Sequence, residues 1–284
     1  MIKLIALDLD GTLLNRRKQV TDATVEALQA AADRGIHVVL ATGRMLSECS
    51  ELLPRLPMIR YAVTCTGTQV LDLTTGETLF QQALTADEMR RLSRKLLDLD
   101  GMLQIFDDRD GRMHNSSEMI RQAERFCGPG LARTIRNTHG WEDDLAAYIA
   151  AYEGPSNKLH MFFGSPEAKA EALRRLEGEP YELLSSQAND LEIMPLGVDK
   201  ATGLSALAER LGLTAAEVMA IGDGDNDMAM LQYAGLAVAM GNGSAGAKAC
   251  AHRITEDNEH DGAAAAVWNI LEVETYGISH RNSN

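Results

Sequence analysis

The sequence predicts an α/β fold, a doubly wound, largely parallel, Rossmann-like core interrupted by a separate α+β segment. Three observations predict it. Apolar runs at residues 2–7, 36–41 and 61–65 alternate with helix-spaced stretches over short loops, which is the rhythm of right-handed βαβ units. That rhythm breaks off near Thr85 and resumes after Glu192. In both halves the apolar runs end in acidic or hydroxyl-bearing clusters, at the strand ends where open α/β sheets bind ligands.

Residues 2–7 end at Asp8 and read as a buried strand that delivers carboxylates at its exit, broken by Gly11-Thr12. Residues 21–32 carry Val25, Leu28 and Ala31 at helical spacing, with Thr21 or Asp22 as N-cap and Gly35 as the stop. The second strand, residues 36–41, leads into Thr42-Gly43-Arg44 and a helix over residues 45–53. A third strand at residues 61–65 is followed by a hairpin, residues 69–73 and 78–83 around Thr74-Thr75-Gly76-Glu77. From 85 to 186 helical stretches alternate with short strands such as 158–163 and 182–185, punctuated by Gly128-Pro129-Gly130 and Gly154-Pro155. The βα rhythm then returns with a helix at 199–211, a strand at 218–221, a helix at 226–233, a strand at 236–240 and a helix at 262–271. The polar tail 277–284 is expected to be disordered. The expected division is residues 1–84 and 189–284 for the core and 85–188 for the insert.

Composition narrows the function. With 45% hydrophobic residues in 284, the chain is apolar enough to build a large core, which excludes intrinsic disorder. The 27 basic and 41 acidic side chains leave a net charge of -14, the wrong sign for general nucleic-acid binding or for docking on anionic membranes. No apolar run approaches the roughly 18 residues of a membrane span. The N-terminal run lacks the basic flank and cleavage site of an export signal, so a cytoplasmic protein is expected. Cys49, Cys65, Cys127 and Cys250 form no C-x-x-C pair and read as free thiols in a reducing compartment. The seven His form no metal-binding spacing.

Four clusters carry chemistry. In Asp8-Leu9-Asp10-Gly11-Thr12, two acids two positions apart leave a buried strand, and their repulsion calls for a cation, with Mg2+ the hard-oxygen candidate. A carboxylate there can attack phosphorus while its neighbour handles the proton. Thr42-Gly43-Arg44 offers a hydroxyl and backbone N–H groups as a phosphate cradle. Lys200 opens a helix, where the dipole disfavours a cation unless an anion pairs with it. Gly222-Asp223-Gly224-Asp225-Asn226-Asp227 is a second acidic cluster without the spacing of a calcium loop. Each has an ordinary reading by itself: a solvated turn, an N-cap, a surface lysine, an acid-rich cap. Asp107-Asp108-Arg109-Asp110 reads as a solvated turn rather than a substrate loop.

The ordered set resembles the haloacid dehalogenase superfamily of hydrolases, of the Cof-like type, over nearly the whole chain. Asp8 through Leu14, Ala41-Thr42-Gly43-Arg44, Gly197-Val198-Asp199-Lys200 and Gly222 through Asp227 match its four motifs in order, and Asn258-Glu259-His260-Asp261-Gly262 resembles its late pattern. The resemblance implies that the insert is a cap that sets substrate specificity. It implies Asp8 as nucleophile and Mg2+ ligand, and Asp10 as general acid/base with its carbonyl on Mg2+. Leu9, Thr42, Gly43, Lys200 and Asn226 would hold the phosphoryl group, with Arg44 reaching the substrate beyond it. Asp223 would complete the Mg2+ ligands, and Asp227 would orient Lys200 or a metal-bound water. Two departures stand out: Thr66-Gly67-Thr68 where relatives have Asn-Gly-Ala, and Ala201 after the lysine where they have Gly.

The expected function is a Mg2+-dependent phosphatase acting on phosphate monoesters of small, sugar-phosphate-like metabolites through an aspartyl-phosphate. Asp10 favours this reaction, because ester cleavage needs a proton delivered to an alkoxide. A phosphomutase using the same intermediate is the alternative. A phosphate-accepting signalling module fits less well, since such modules lack an insert and phosphorylate an Asp after a later strand.

Overall fold

Buried strands dominate the first unit because their residues are apolar on both faces, as a parallel sheet covered by helices requires. The computed structural model describes residues 1–108, 110–185 and 187–281, with side chains described as far as residue 272. The chain opens with β1 (Leu4–Leu7), α1 (Asp22–Asp33), β2 (His37–Ala41), β3 (Ile59–Thr64), β4 (Gln69–Asp72) and β5 (Glu77–Gln81). It continues through α2 (Ala86–Arg94), β6 (Gly101–Asp107), β7 (Arg112–Ser116), α3 (Ser117–Arg121), α4 (Ala123–Thr138), β8 (Gly140–Glu142), α5 (Leu145–Ala151), β9 (Leu159–Phe163), α6 (Pro166–Leu176), β10 (Tyr181–Leu184) and β11 (Asp190–Pro195). It closes with α7 (Lys200–Arg210), β12 (Val218–Gly222), α8 (Met228–Tyr233), β13 (Leu236–Ala239), α9 (Ala245–Cys250), β14 (Arg253–Ile254) and α10 (Gly262–Arg281).

The first unit comprises Met1–Arg44, Cys49–Gln81 and Asp199–Asn284. Its sheet runs in the order β14-β13-β12-β1-β2-β3-β4-β5. The ladders from β14 to β3 are parallel, and the β3-β4-β5 edge is antiparallel. All four β1 residues are at 0% exposure. One face of the sheet packs Leu4, Ala6, Val39, Val63 and Ala220 against Leu204, Leu207 and Leu231 from α7 and α8. Thr21 caps α1 by accepting from the Thr24 N–H.

The second unit comprises Met45–Glu48 and Gln82–Val198, with a sheet ordered β10-β11-β9-β6-β7-β8. One of its faces buries Leu103, Ile105, Leu159, Met161, Leu191 and Ile193 under α2, α5 and α6. Met102 and Phe162, on the other face, pack against Ile120, Phe126 and Ile135 of α3 and α4.

Several expectations need correction. The insert extends beyond residue 188, because β11 pairs antiparallel with both β9 and β10. At its other end, Leu84 bridges Ser156, so the unit begins at Gln82 rather than Thr85. The helix expected over residues 45–53 is instead two one-turn 3-10 segments, Leu46–Cys49 and Leu53–Arg55. Pro54 sits in the first turn of the second segment, where its missing N–H is tolerated. The helix expected at 226–233 begins as a 3-10 turn, Asp225–Asp227, before α8. α10 runs through Arg281, since one helical Gly at 277 is tolerated, and the last three residues of the expected tail lie outside the described residues. In the expected solvated turn, Asp107 is 2% exposed and accepts a hydrogen bond from the Tyr148 hydroxyl, and Arg109 lies outside the described residues.

Candidate active site

Three neighbouring parallel strands deliver the chemistry. Leu7 is in register with Leu40 on one side and Ile221 on the other, so the loops after β1, β2 and β12 emerge at one sheet edge. Asp8, Thr42 and Asp223 therefore come side by side from distant parts of the sequence. Lys200 comes from the first turn of α7, which Asp199 caps by accepting from the Thr202 N–H.

The Lys200 ammonium is at 0% exposure and donates to Asp8 Oδ1 and Asp227 Oδ1, each at 2.6 Å. Asp227 turns its other oxygen to the backbone N–H groups of Asp223 at 2.9 Å and Gly224 at 2.8 Å. One buried carboxylate thus fixes both the lysine and the loop that carries Asp223. Burial raises the Asp8 carboxyl above the ordinary range, Lys200 offsets only part of that, and Asp227 and Asp223 add repulsion. Burial alone would lower Lys200, but the Asp8 and Asp227 carboxylates outweigh it and keep the amine charged. Burial lifts Asp223 to about 6, opposed by the Thr12 hydroxyl, which donates to Asp223 Oδ1 at 3.0 Å.

Asp10 is held differently. Arg44 grips its carboxylate with Nε and a terminal nitrogen, both at 2.7 Å, and Lys18 Nζ adds a contact at 2.6 Å. Burial opposes ionisation there, but the two cations outweigh it and hold the carboxyl below its usual range. Thr42 is 1% exposed, and its hydroxyl accepts from the Arg44 N–H at 3.1 Å. Leu9 is fully buried beside Asp8. Two expected phosphoryl or substrate ligands stand apart. Arg44 is committed to Asp10, and Asn226 is exposed on its 3-10 turn with no hydrogen bond to Asp8, Thr42 or Lys200 among the described residues.

The residues present fit a hard divalent cation. Asp8, Asp223 and Asp227 place carboxylate oxygens within 4.8 Å of one another, and two of these carboxyls are raised by burial and mutual repulsion. The Asp223 carboxylate lies directly over Gly11, where a Cβ would come within 2.3 Å of its Oδ2, so the positive φ of 87° and the absent side chain are both required. In the second unit, Asp107, Asp110 and His114 also gather within 4.8 Å, but both His114 ring nitrogens are already engaged by Asp110 and Glu142.

Sequence reasoning missed several groups that shape this edge. Lys18 carries no motif signal. The Asn242 amide donates to the Gly11 carbonyl at 2.9 Å, and the Asn258 amide donates to the Leu14 carbonyl at 2.7 Å. Asp261 accepts from the Thr21 hydroxyl at 2.6 Å. The late Asn-x-x-Asp-Gly pattern therefore straps the loop after β1 in place, and it was the one signal available for Asn258.

Residues 5–267 match the family model described as haloacid dehalogenase-like hydrolase. The chain is 32% identical over 267 residues to 5-amino-6-(5-phospho-D-ribitylamino)uracil phosphatase YcsE of Bacillus subtilis, covering 94% of each chain. It is 28% identical over 243 residues to an HMP-PP phosphatase of Cronobacter sakazakii, covering 85% of each. A solved haloacid dehalogenase-like hydrolase from Bacteroides thetaiotaomicron superimposes with a TM-score of 0.79 at 28% identity, over 95% of this chain and all of that one. The chain is an enzyme that belongs to the haloacid dehalogenase-like hydrolase family.

Proposed function

We propose that the chain is a cytoplasmic, Mg2+-dependent phosphatase that hydrolyses phosphate monoesters of small, sugar-phosphate-like metabolites through an aspartyl-phosphate on Asp8. The observation that carries this reading is the buried Lys200 ammonium bridging Asp8 and Asp227 at the carboxyl end of β1. The phosphatase names of relatives aligned over most of their length support it.

In this reading an Asp8 oxygen attacks phosphorus and the ester P–O bond breaks. Asp10 delivers a proton to the departing alkoxide, which requires its carboxyl to be released from the Arg44 and Lys18 contacts that otherwise keep it ionised. Asp10, now ionised, takes a proton from the water that attacks the aspartyl-phosphate, which frees inorganic phosphate and restores Asp8. Arg44 and Lys18 favour the ionised Asp10 that this second step needs. Lys200 and the Leu9, Thr42 and Gly43 groups hold the phosphoryl oxygens, and Asn226, exposed on its turn, is left out of this set. Asp8, the Asp10 carbonyl and Asp223 would hold Mg2+, which supplies charge neutralisation at those oxygens. Asp227 keeps Lys200 and the Asp223 loop in place.

The test is phosphate release from an aryl phosphate by the full chain, with Mg2+, with a chelator, and as Asp8→Asn. Release that needs both the metal and Asp8 is expected. Turnover that survives in Asp8→Asn would refute the nucleophile. Turnover only when a sugar bisphosphate is added would point to the mutase.

A further inference from the structure

The turn after β3 holds an anomaly that the site above does not use. Cys65, Thr66 and Gly67 all have positive φ, at 49°, 58° and 99°. Thr66 has ψ of 28°, so it is a β-branched residue in the left-handed helical region, which such residues strongly disfavour. Asn or Gly would sit there with less strain. Thr66 is 4% exposed as a residue, its hydroxyl oxygen is not among the fully buried unsatisfied atoms, and it makes no side-chain hydrogen bond among the described residues. Its neighbours differ. The Thr64 hydroxyl donates to Gln69 Oε1 at 3.3 Å, and the Thr68 hydroxyl donates to the Cys65 carbonyl at 3.0 Å. A strained backbone is a cost that a plain structural turn avoids, and here it falls on a residue whose hydroxyl has no protein partner and keeps a little open surface.

The surroundings say what the hydroxyl is for. The Thr66 N–H donates to the Thr42 carbonyl at 3.1 Å, and the Cys65 N–H to the Arg44 carbonyl at 3.0 Å. A Cβ built on Gly43 would lie 3.3 Å from Thr66 Oγ1, so this oxygen stands beside the Gly43 backbone. On its other side the turn meets the start of α7. A Cβ on Gly67 would come within 1.8 Å of the Asp199 carbonyl oxygen, one residue before Lys200. Thr66 is thus wedged between the Thr42-Gly43 loop and the helix start that carries Lys200, the two elements expected to hold an anion.

We propose that the Thr66 hydroxyl is a further phosphoryl-group donor, giving its hydrogen bond to an oxygen of the anion held by Thr42, Gly43 and Lys200. The inference rests on the phosphoryl-site reading above. The bound anion would supply a partner for a hydroxyl that stands beside the Gly43 backbone.

The test measures binding of inorganic phosphate to the full chain in Mg2+ by titration calorimetry, with phosphate inhibition of aryl phosphate turnover alongside. Thr66→Val keeps the β-branched shape and loses the hydroxyl, and Thr66→Ser keeps the hydroxyl. Thr66→Val is expected to weaken phosphate about tenfold, the loss of one hydrogen bond to a charged group, while Thr66→Ser stays within about twofold of the wild type. If Thr66→Val does not fold, Thr66→Ala against Thr66→Ser carries the same comparison. Equal phosphate affinity in the wild type and the hydroxyl-less variant would overturn the inference while leaving the phosphatase reading intact. A wild-type chain that binds no phosphate would overturn the phosphoryl site itself, and this inference with it.

Discussion

Lys200 is the sharpest place to test the electrostatics of the site. Replacing it with Met keeps the length and apolar stem but removes the ammonium that bridges two carboxylates at 2.6 Å. Both partners are buried, with Asp8 5% and Asp227 0% exposed, so water cannot take over. Removing one member of such a buried ionic group costs about 3–5 kcal/mol. With about 2.1 cal/mol/K of unfolding entropy per residue over 284 residues, that lowers the melting temperature by roughly 5–8 °C. The loss has a pH signature. Asp8 is already raised by burial in the wild type, and without Lys200 it rises further, so the variant loses more stability than the wild type as pH rises through neutrality. The assay is thermal unfolding of both proteins in chelator at several pH values. A melting temperature within about 1 °C of the wild type at pH 8 would refute the claim that Lys200 compensates buried charge.

Further expectations concern other parts of the molecule. Asp8→Asn should fold with a melting temperature in chelator at or above the wild type, because it removes a charge whose burial is already unfavourable; a clear fall would show that its pair with Lys200 is net stabilising. The Glu48 carboxyl is buried, which alone would raise it, but His139, Lys158 and the Met45 N–H outweigh burial and bring it to about 2. Its contribution, about 3 kcal/mol at most, is present above the unfolded value near 4.5 and lost as pH falls through about 2, so Glu48→Gln should flatten acid unfolding across that window. Gly67→Ala should cost more than about 3 kcal/mol in urea unfolding, while Gly76→Ala, also at positive φ but with open space around it, should cost about 1 kcal/mol. With a net charge of -14, kcat/KM for an anionic ester should hold or rise with added salt, and a steep fall would contradict unfavourable long-range steering.

Asp8, Thr42, Lys200 and Asp223 were legible because each follows an apolar run or opens a helix, and parallel topology gathers strand ends at one edge. The Lys200 contact with Asp227 was legible only through family resemblance, since nothing in local spacing joins the residues. Lys18 was not legible. It lies in the loop after β1, its φ is 59°, and its partner Asp10 is chosen by how that loop folds. β11 misled for a similar reason. Leu191 and Ile193 alternate with polar neighbours as any half-buried strand does, and only pairing with β9 and β10 shows which sheet they serve. The segment after Arg44 read as one helix over residues 45–53, and it forms only the short turns Leu46–Cys49 and Leu53–Arg55.

The central position of β1 also matters while the protein is being made. Leu4 pairs with His37 on one side and Val218 on the other. The first partner leaves the ribosome early, but the second follows some 180 residues later, which at about 5–20 residues per second is a wait of roughly 10–40 s. Throughout it, four wholly apolar residues present an open strand edge, the kind of surface that recruits other nascent chains. The same connectivity that assembles the catalytic groups from both ends of the chain therefore leaves the growing polypeptide exposed to aggregation until its last third is synthesised.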